Sequence, residues 1–223
     1  MKPISIINIK LLDIRLPHSP DVNKSFLIDA KQLLEKAPAK KGVYPELFHN
    51  DQNRYSDIQI ARYQGAVSFT AIGKDAVKTL KYWYKLFKSE HKKNLHNTLI
   101  CTERYTPAFL SYQKKYRIRT LLISDNIAKE LNQIPDKFAR MERLEKYLTG
   151  NVKRFLKHIN YDTEDNFIKL NVSHFSFHPK ALEVYHGQKK TAVDISFQIN
   201  FALPQHLRLG QSTAIGYGKL THL

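Results

Sequence analysis

Cysteine is nearly absent from this 223-residue chain: Cys101 stands alone, so no internal disulfide can brace the fold. A single thiol suits a reducing compartment, and the expectation is a cytoplasmic protein. Cys101 lies in the strand-like Leu99-Ile100-Cys101, a setting for a small buried apolar side chain rather than a catalytic thiol. Long apolar runs are missing as well, and nothing approaches the about 20 residues that span a bilayer. The N-terminus alternates apolar and polar residues from Ile4 to Leu16, which is a strand pattern and not a signal-peptide core. His174 and His178 are four apart, but in a strand-like segment that spacing does not bring two rings together. With one cysteine and no carboxylate pair beside them, no metal site and no cofactor are expected. The absence of a Gly-x-Ser-x-Gly elbow removes the usual serine hydrolase arrangement.

Acidic residues are scarce too. Asp and Glu number 20 against 36 Lys and Arg, a formal net charge of +16, far beyond what solubility requires. A polyanionic partner is the natural inference, and 12 Tyr and 12 Phe offer rings on which unpaired bases can stack. No long basic amphipathic helix with a Trp/Leu face is present, which counts against an acidic lipid surface.

Periodicity orders the chain. Strand patterns at Ile4–Leu11, Tyr55–Tyr63, Gly65–Ile72 and Thr98–Glu103 alternate with helical spacing over Asn23–Lys36 and Asp75–Phe87. Pro17 and Pro20 break the first strand. Lys115–Ile123 alternates Tyr116 and Ile118 with Arg117 and Arg119. Asp136–Ile159 is the longest helical pattern, with Phe138, Met141, Leu144, Leu148, Val152, Phe155 and Leu156 on one stripe and a strongly basic other side. That side is either a solvated face or an RNA-facing one. Strand patterns follow at Phe167–Val172, Leu182–Tyr185 and Thr191–Leu203. The expected fold class is α+β, two tandem ferredoxin-like βαββαβ modules with antiparallel sheets backed by helices. The first module covers residues 1–96 and the second 97–223.

Glycine is rare, eight in all, yet three fall within the nine residues Gly210 to Gly218. A strand, a glycine-rich loop with basic flanks and a closing strand at Lys219-Leu220-Thr221 describe either a plain hairpin or a backbone surface offered to a phosphodiester. The run Phe197-Gln198-Ile199-Asn200-Phe201-Ala202-Leu203-Pro204 and the loop after it resemble the C-terminal signature of the CRISPR-associated endoribonucleases that process repeat RNA, members of the repeat-associated mysterious protein superfamily. Arg208 stands in place of the first signature glycine, Gln211 in place of the loop lysine, and Ile215 where arginine is frequent. Gly150, Asn151 and Lys157 match the family's Gly-Asn-x-x-x-x-x-Lys element, where Gly150 permits a close approach, marks a bend or interrupts the helix. Leu47-Phe48-His49-Asn50 followed by Arg54-Tyr55 resembles a Leu-His-Asn stretch of the first module.

That resemblance implies a metal-independent endoribonuclease acting on CRISPR repeat RNA. It leaves a 5′-hydroxyl and a 2′,3′-cyclic phosphate. Such a reaction needs a group to take the 2′ proton, charge to stabilise the phosphorane and a proton for the leaving 5′ oxygen. His49, in a polar stretch beside a basic one, is the candidate general base. Arg54 and Lys41 are candidates for the phosphate, and Tyr55 or Tyr44 for the 2′-hydroxyl or the proton. Lys153, Arg154, Lys157, Arg208, Gly210, Gln211, Ser212, Gly216 and Gly218 are the expected RNA contacts. The partners implied are repeat RNA and other Cas proteins of an effector complex, with the chain monomeric or homodimeric. The alternative is a catalytically inactive subunit that holds guide RNA in such a complex.

Overall fold

The computed structural model describes residues 3–15, 19–48, 55–63, 65–92, 95–162, 167–184 and 188–223. Two compact units account for the chain: Met1–Thr106 with Ala214–Gly216, and Pro107–Thr213 with Tyr217–Leu223.

The first unit runs β1 (Ile4–Arg15), α1 (Pro20–Lys36), β2 (Ile58–Tyr63), β3 (Ala66–Ile72), α2 (Lys74–Glu90), β4 (Thr98–Tyr105). Its sheet has the order β2-β3-β1-β4, antiparallel throughout, which is the ferredoxin-like arrangement expected from the element order. Pro20 does not merely break the strand: it opens α1, where the missing N–H would have had no intrahelical acceptor. Ile7, Ile9 and Leu11 of β1 pair across the sheet with Ala71, Phe69 and Val67, and all six are buried. Against this face α1 and α2 bring Phe26, Trp83 and Phe87. Phe69 lies 4.7 Å from Trp83 and 5.7 Å from Phe26, ring centre to ring centre. The opposite face is polar but still buried at Asn8, Ser68 and Thr70. Asn8 Nδ2 donates to Thr70 Oγ1 at 2.8 Å and Ser68 Oγ donates to Asn8 Oδ1 at 3.2 Å, so the buried amide is satisfied.

Two expectations are corrected here. A boundary between 96 and 97 would give β4 to the second module, yet β4 pairs with β1 from Ile4↔Tyr105 to Leu11↔Thr98 and the division falls after Thr106. Cys101 is exposed, not buried, because β4 is an edge strand whose residues 99–102 all face solvent.

The second unit runs β5 (Phe109–Leu122), α3 (Asp125–Gln133), α4 (Lys137–His158), β6 (Leu170–Phe177), a two-residue pair β7 (Leu182–Glu183) and β8 (Lys189–Lys190), β9 (Ala192–Phe201) and β10 (Lys219–His222). Its main sheet has the order β10-β5-β9-β6 and repeats the first topology. One part differs: no helix joins β9 to β10, and the glycine-rich loop, with one 3-10 turn at Thr213–Ile215, occupies that crossover. Asp136 caps α4, its carboxylate accepting from the Ala139 amide at 2.6 Å, and Leu144, Leu148, Val152, Phe155 and Leu156 are buried. The short α3 escapes the periodicity because it holds only two turns; Ser124 caps it, and Ile127, Ala128 and Leu131 form its buried stripe.

Gly150 lies on the exposed side of α4, and a Cβ built there would meet nothing within 4 Å. Neither a close packing contact within the protein nor a helix break explains it, since α4 runs through it unbroken. Gly150→Ala is therefore expected to stabilise the second unit by about 1 kcal/mol, read as a higher urea midpoint.

Candidate nucleic-acid interface

The loop is seated on an irregularity in β5. The register with β9 shifts between Ile118 and Leu121, and Thr120 takes φ 55, a left-handed conformation that a β-branched residue adopts only when held. Both its backbone groups are held. The Thr120 N–H donates to Asp194 Oδ1 at 2.8 Å, and its carbonyl accepts from the Gly218 N–H at 3.0 Å. The Leu209 N–H donates in turn to the Gly218 carbonyl at 3.0 Å, and the Gln211 N–H to the Leu122 carbonyl at 3.4 Å. Packing follows the same seat, since a Cβ at Gly210 would lie 2.4 Å from Leu121 Cδ1. Within the first unit, Asn23 Nδ2 donates to the Ile215 carbonyl at 2.8 Å, and a Cβ at Gly216 would lie 3.2 Å from the Ile60 carbonyl.

Asp194 is the anchor of this arrangement. Burial pushes its carboxyl up, but the Thr120 amide, the His178 ring 2.9 Å away and the Arg117 guanidinium at 3.6 Å together outweigh burial and hold it below the ordinary carboxylate value. A carboxylate depressed in the fold adds stability at neutral pH, and that stability is lost as pH falls through the carboxylate range. Asp194→Asn should lower stability by about 1–2 kcal/mol at pH 7. The gap from wild type should close as pH drops below about 4, as urea midpoints across pH would show.

The expected RNA contacts fall into different situations. Lys153, Arg154 and Lys157 are all exposed on α4, one-signed charge facing solvent. Gly210, Gln211, Ser212 and Gly216 are half-buried in the loop, whereas Gly218 is buried. The loop is not a free rack of amides, because those of Gln211 and Gly218 already have acceptors. Arg208 is corrected: it is 3% exposed, its guanidinium donates to the His206 carbonyl at 3.3 Å, and its backbone bridges to Lys219. It braces the loop from inside rather than meeting a ligand.

In the first unit, Lys41 is exposed and its carbonyl accepts a hydrogen bond from Lys78 Nζ. Tyr44 is 42% exposed, with its N–H donating to Thr79 Oγ1 at 3.0 Å. Tyr55 is 6% exposed, so of the two phenols Tyr44 is the accessible one. Phe48, 1% exposed, packs 5.5 Å from Trp83. His49 and Arg54 lie outside the described residues.

A feature that α4 and the loop do not include is the second sheet itself. Lys115, Arg117 and Arg119 alternate with the fully buried Tyr116 and Ile118, and Arg119 pairs across strands with Lys219. Cations therefore stand on the face turned away from the core, beside Ser196, Gln198 and Asn171. The alternation was readable in sequence; that four strands would align the polar positions was not. Among the described residues no three His, Cys, Asp or Glu side chains gather, and no helix is long and apolar enough to cross a membrane.

Residues 108–223 match the family described as Cas6b C-terminal domain, which covers the whole second sheet, α4 and the loop. The chain belongs to the Cas6b family. The fold agrees over its full length. A crystal structure of Cas6b aligns with TM-score 0.78 at 18% identity, covering 99% of this chain and 100% of that one. A crystal structure of a CRISPR RNA processing endoribonuclease Cas6b aligns with TM-score 0.72 at 17% identity and the same coverage. Csf5, a type IV CRISPR-Cas Cas6 crRNA endonuclease, aligns with TM-score 0.60 at 13% identity, covering 99% of both chains. No curated protein matches the chain by sequence.

Proposed function

We propose that the chain is a metal-independent endoribonuclease that cuts CRISPR repeat RNA. The 2′-hydroxyl at the cleavage point attacks the adjacent phosphorus; the new bond joins phosphorus to O2′ and the bond to O5′ breaks. His49 accepts the 2′ proton, a cation such as Arg54 or Lys41 offsets the phosphorane charge, and the leaving oxygen takes up a proton. The products are a 5′-hydroxyl and a 2′,3′-cyclic phosphate. The exposed phenol of Tyr44 is better placed than Tyr55 to meet substrate. The observation that carries this reading is the Cas6b family match through residues 108–223. In this reading the loop and basic helix hold the strand while the first unit supplies the chemistry. The net charge of +16 supports an RNA substrate.

The test is incubation of the cognate repeat RNA with the protein in EDTA, with the products weighed by mass spectrometry. Fragments ending in a cyclic phosphate are expected. Tight binding with the RNA left intact would instead indicate a subunit that holds guide RNA, and cutting that stops in EDTA would overturn the metal-free mechanism.

A further inference from the structure

On the second unit, α4 and the edge strand β6 leave a groove of about 650 Å³. Lys146, Gly150 and Lys153 line its helix side, and Phe167, Lys169 and Asn171 its strand side. Three properties distinguish it from an ordinary surface furrow.

Its charge is one-signed in effect. Lys153 and Lys169 are exposed, and Lys146 has only a solvent-exposed pair with Glu142 at 3.3 Å, which contributes little. The lining carboxylate, Glu145, is already committed: its Oε1 accepts the Val172 N–H at 2.8 Å. Second, Phe167 stands 78% exposed at the rim. One side chain clamps the backbone that follows the ring, since Asn200 Nδ2 donates to the Phe167 carbonyl at 3.0 Å and Asn200 Oδ1 accepts the Lys169 N–H at 2.8 Å. A large ring held in water by a braced backbone is a platform. Third, the helix side of the groove has room at Gly150, where a Cβ would touch nothing.

The cations are also aligned. Lys146, Lys153 and Lys157 are spaced by seven and four residues, which at 3.6 residues per turn places them in one column roughly 16 Å long. A single apolar ring among lysines does not suit a protein partner, which would need a broader apolar patch. It suits a nucleic-acid strand whose bases are unpaired, because rings stack on bases while cations follow the phosphates.

We propose that this groove binds an unpaired segment of RNA, one base stacked on Phe167 and the flanking phosphates drawn along Lys146, Lys153 and Lys157 with Lys169 opposite. The identity of that RNA as a single-stranded part of the repeat transcript rests on the proposed function; the groove itself does not.

Two probes separate the two readings: an unstructured mixed-sequence ribo-oligonucleotide, and the cognate repeat RNA, each followed by fluorescence anisotropy at fixed salt. Phe167→Ala should weaken the oligonucleotide by about five- to a hundredfold, and Phe167→Trp should keep its affinity. Lys146→Glu with Lys169→Glu should weaken it further and flatten its dependence on salt. The exposure of all three positions keeps folding out of the result. Oligonucleotide affinity unchanged in both variants, as a groove for an acidic polypeptide would give, overturns the proposal. Intact oligonucleotide binding without repeat cleavage would sink the proposed function and leave the groove standing.

Discussion

Replacing His49 by alanine is expected to slow repeat-RNA cleavage by about 10²–10⁴-fold while leaving the affinity for the RNA near that of the wild type. The size follows from the chemistry. A 2′-hydroxyl is a poor nucleophile until its proton is taken, and an imidazole titrating near neutrality supplies a base that is both available and strong enough. In the proposed mechanism affinity belongs to other groups, chiefly the exposed Lys153, Arg154 and Lys157 of α4, so binding and rate should separate in this variant. The measurement is single-turnover cleavage in EDTA with protein in excess, beside an anisotropy titration. A rate within threefold of wild type would remove His49 from the mechanism. Loss of affinity matching the loss of rate would make it a binding residue instead. Tyr44→Phe in the same assay tells whether the exposed phenol passes a proton, and Tyr55→Phe serves as the comparison from the buried position.

Much of the scaffold was legible because it is governed by local periodicity. β1 alternates apolar and polar residues and forms a strand; α4 carries its apolar stripe between an aspartate cap and a basic last turn, and forms where that pattern lies. The module boundary was not legible, since Thr98–Tyr105 reads equally as the end of one unit or the start of the next, and only pairing with β1 decides it. Arg208 shows a second limit. As an arginine flanking a glycine loop it reads as a phosphate ligand, yet the chain folds back so that its backbone bridges to Lys219 and its side chain turns inward. The Asp194 anchor was hidden for the same reason, because nothing in Ala192–Phe201 announces that its carboxylate will reach a bulge 74 residues earlier. Phe167 was read as the start of a strand; β6 begins at Leu170 instead, and that leaves the ring outside the ladder and in solvent.

Gly218→Ala should be the most damaging conservative substitution in the loop. Gly218 has φ +70, where an L side chain meets its own backbone at about 1–2 kcal/mol. The greater difficulty is space: the added Cβ would lie 1.8 Å from the Leu209 carbonyl oxygen and 2.9 Å from its carbon, both backbone atoms. Relief requires Leu209 and Gly218 to part, which breaks the Leu209 N–H bond to the Gly218 carbonyl and pulls the Gly218 N–H from Thr120. Steric overlap and two weakened hydrogen bonds bring the expected loss to about 3–5 kcal/mol. Gly73→Ala is the comparison without steric overlap, because Gly73 also has a positive φ, +94, but nothing within 4 Å of the built Cβ. Urea unfolding should therefore place Gly218→Ala well below Gly73→Ala, and protein that still folds should bind repeat RNA more weakly because its loop has left the Thr120 seat. Equal midpoints for the two variants would mean that the Leu209–Gly218 contact is not what holds the loop, and the seat on β5 would lose its structural role.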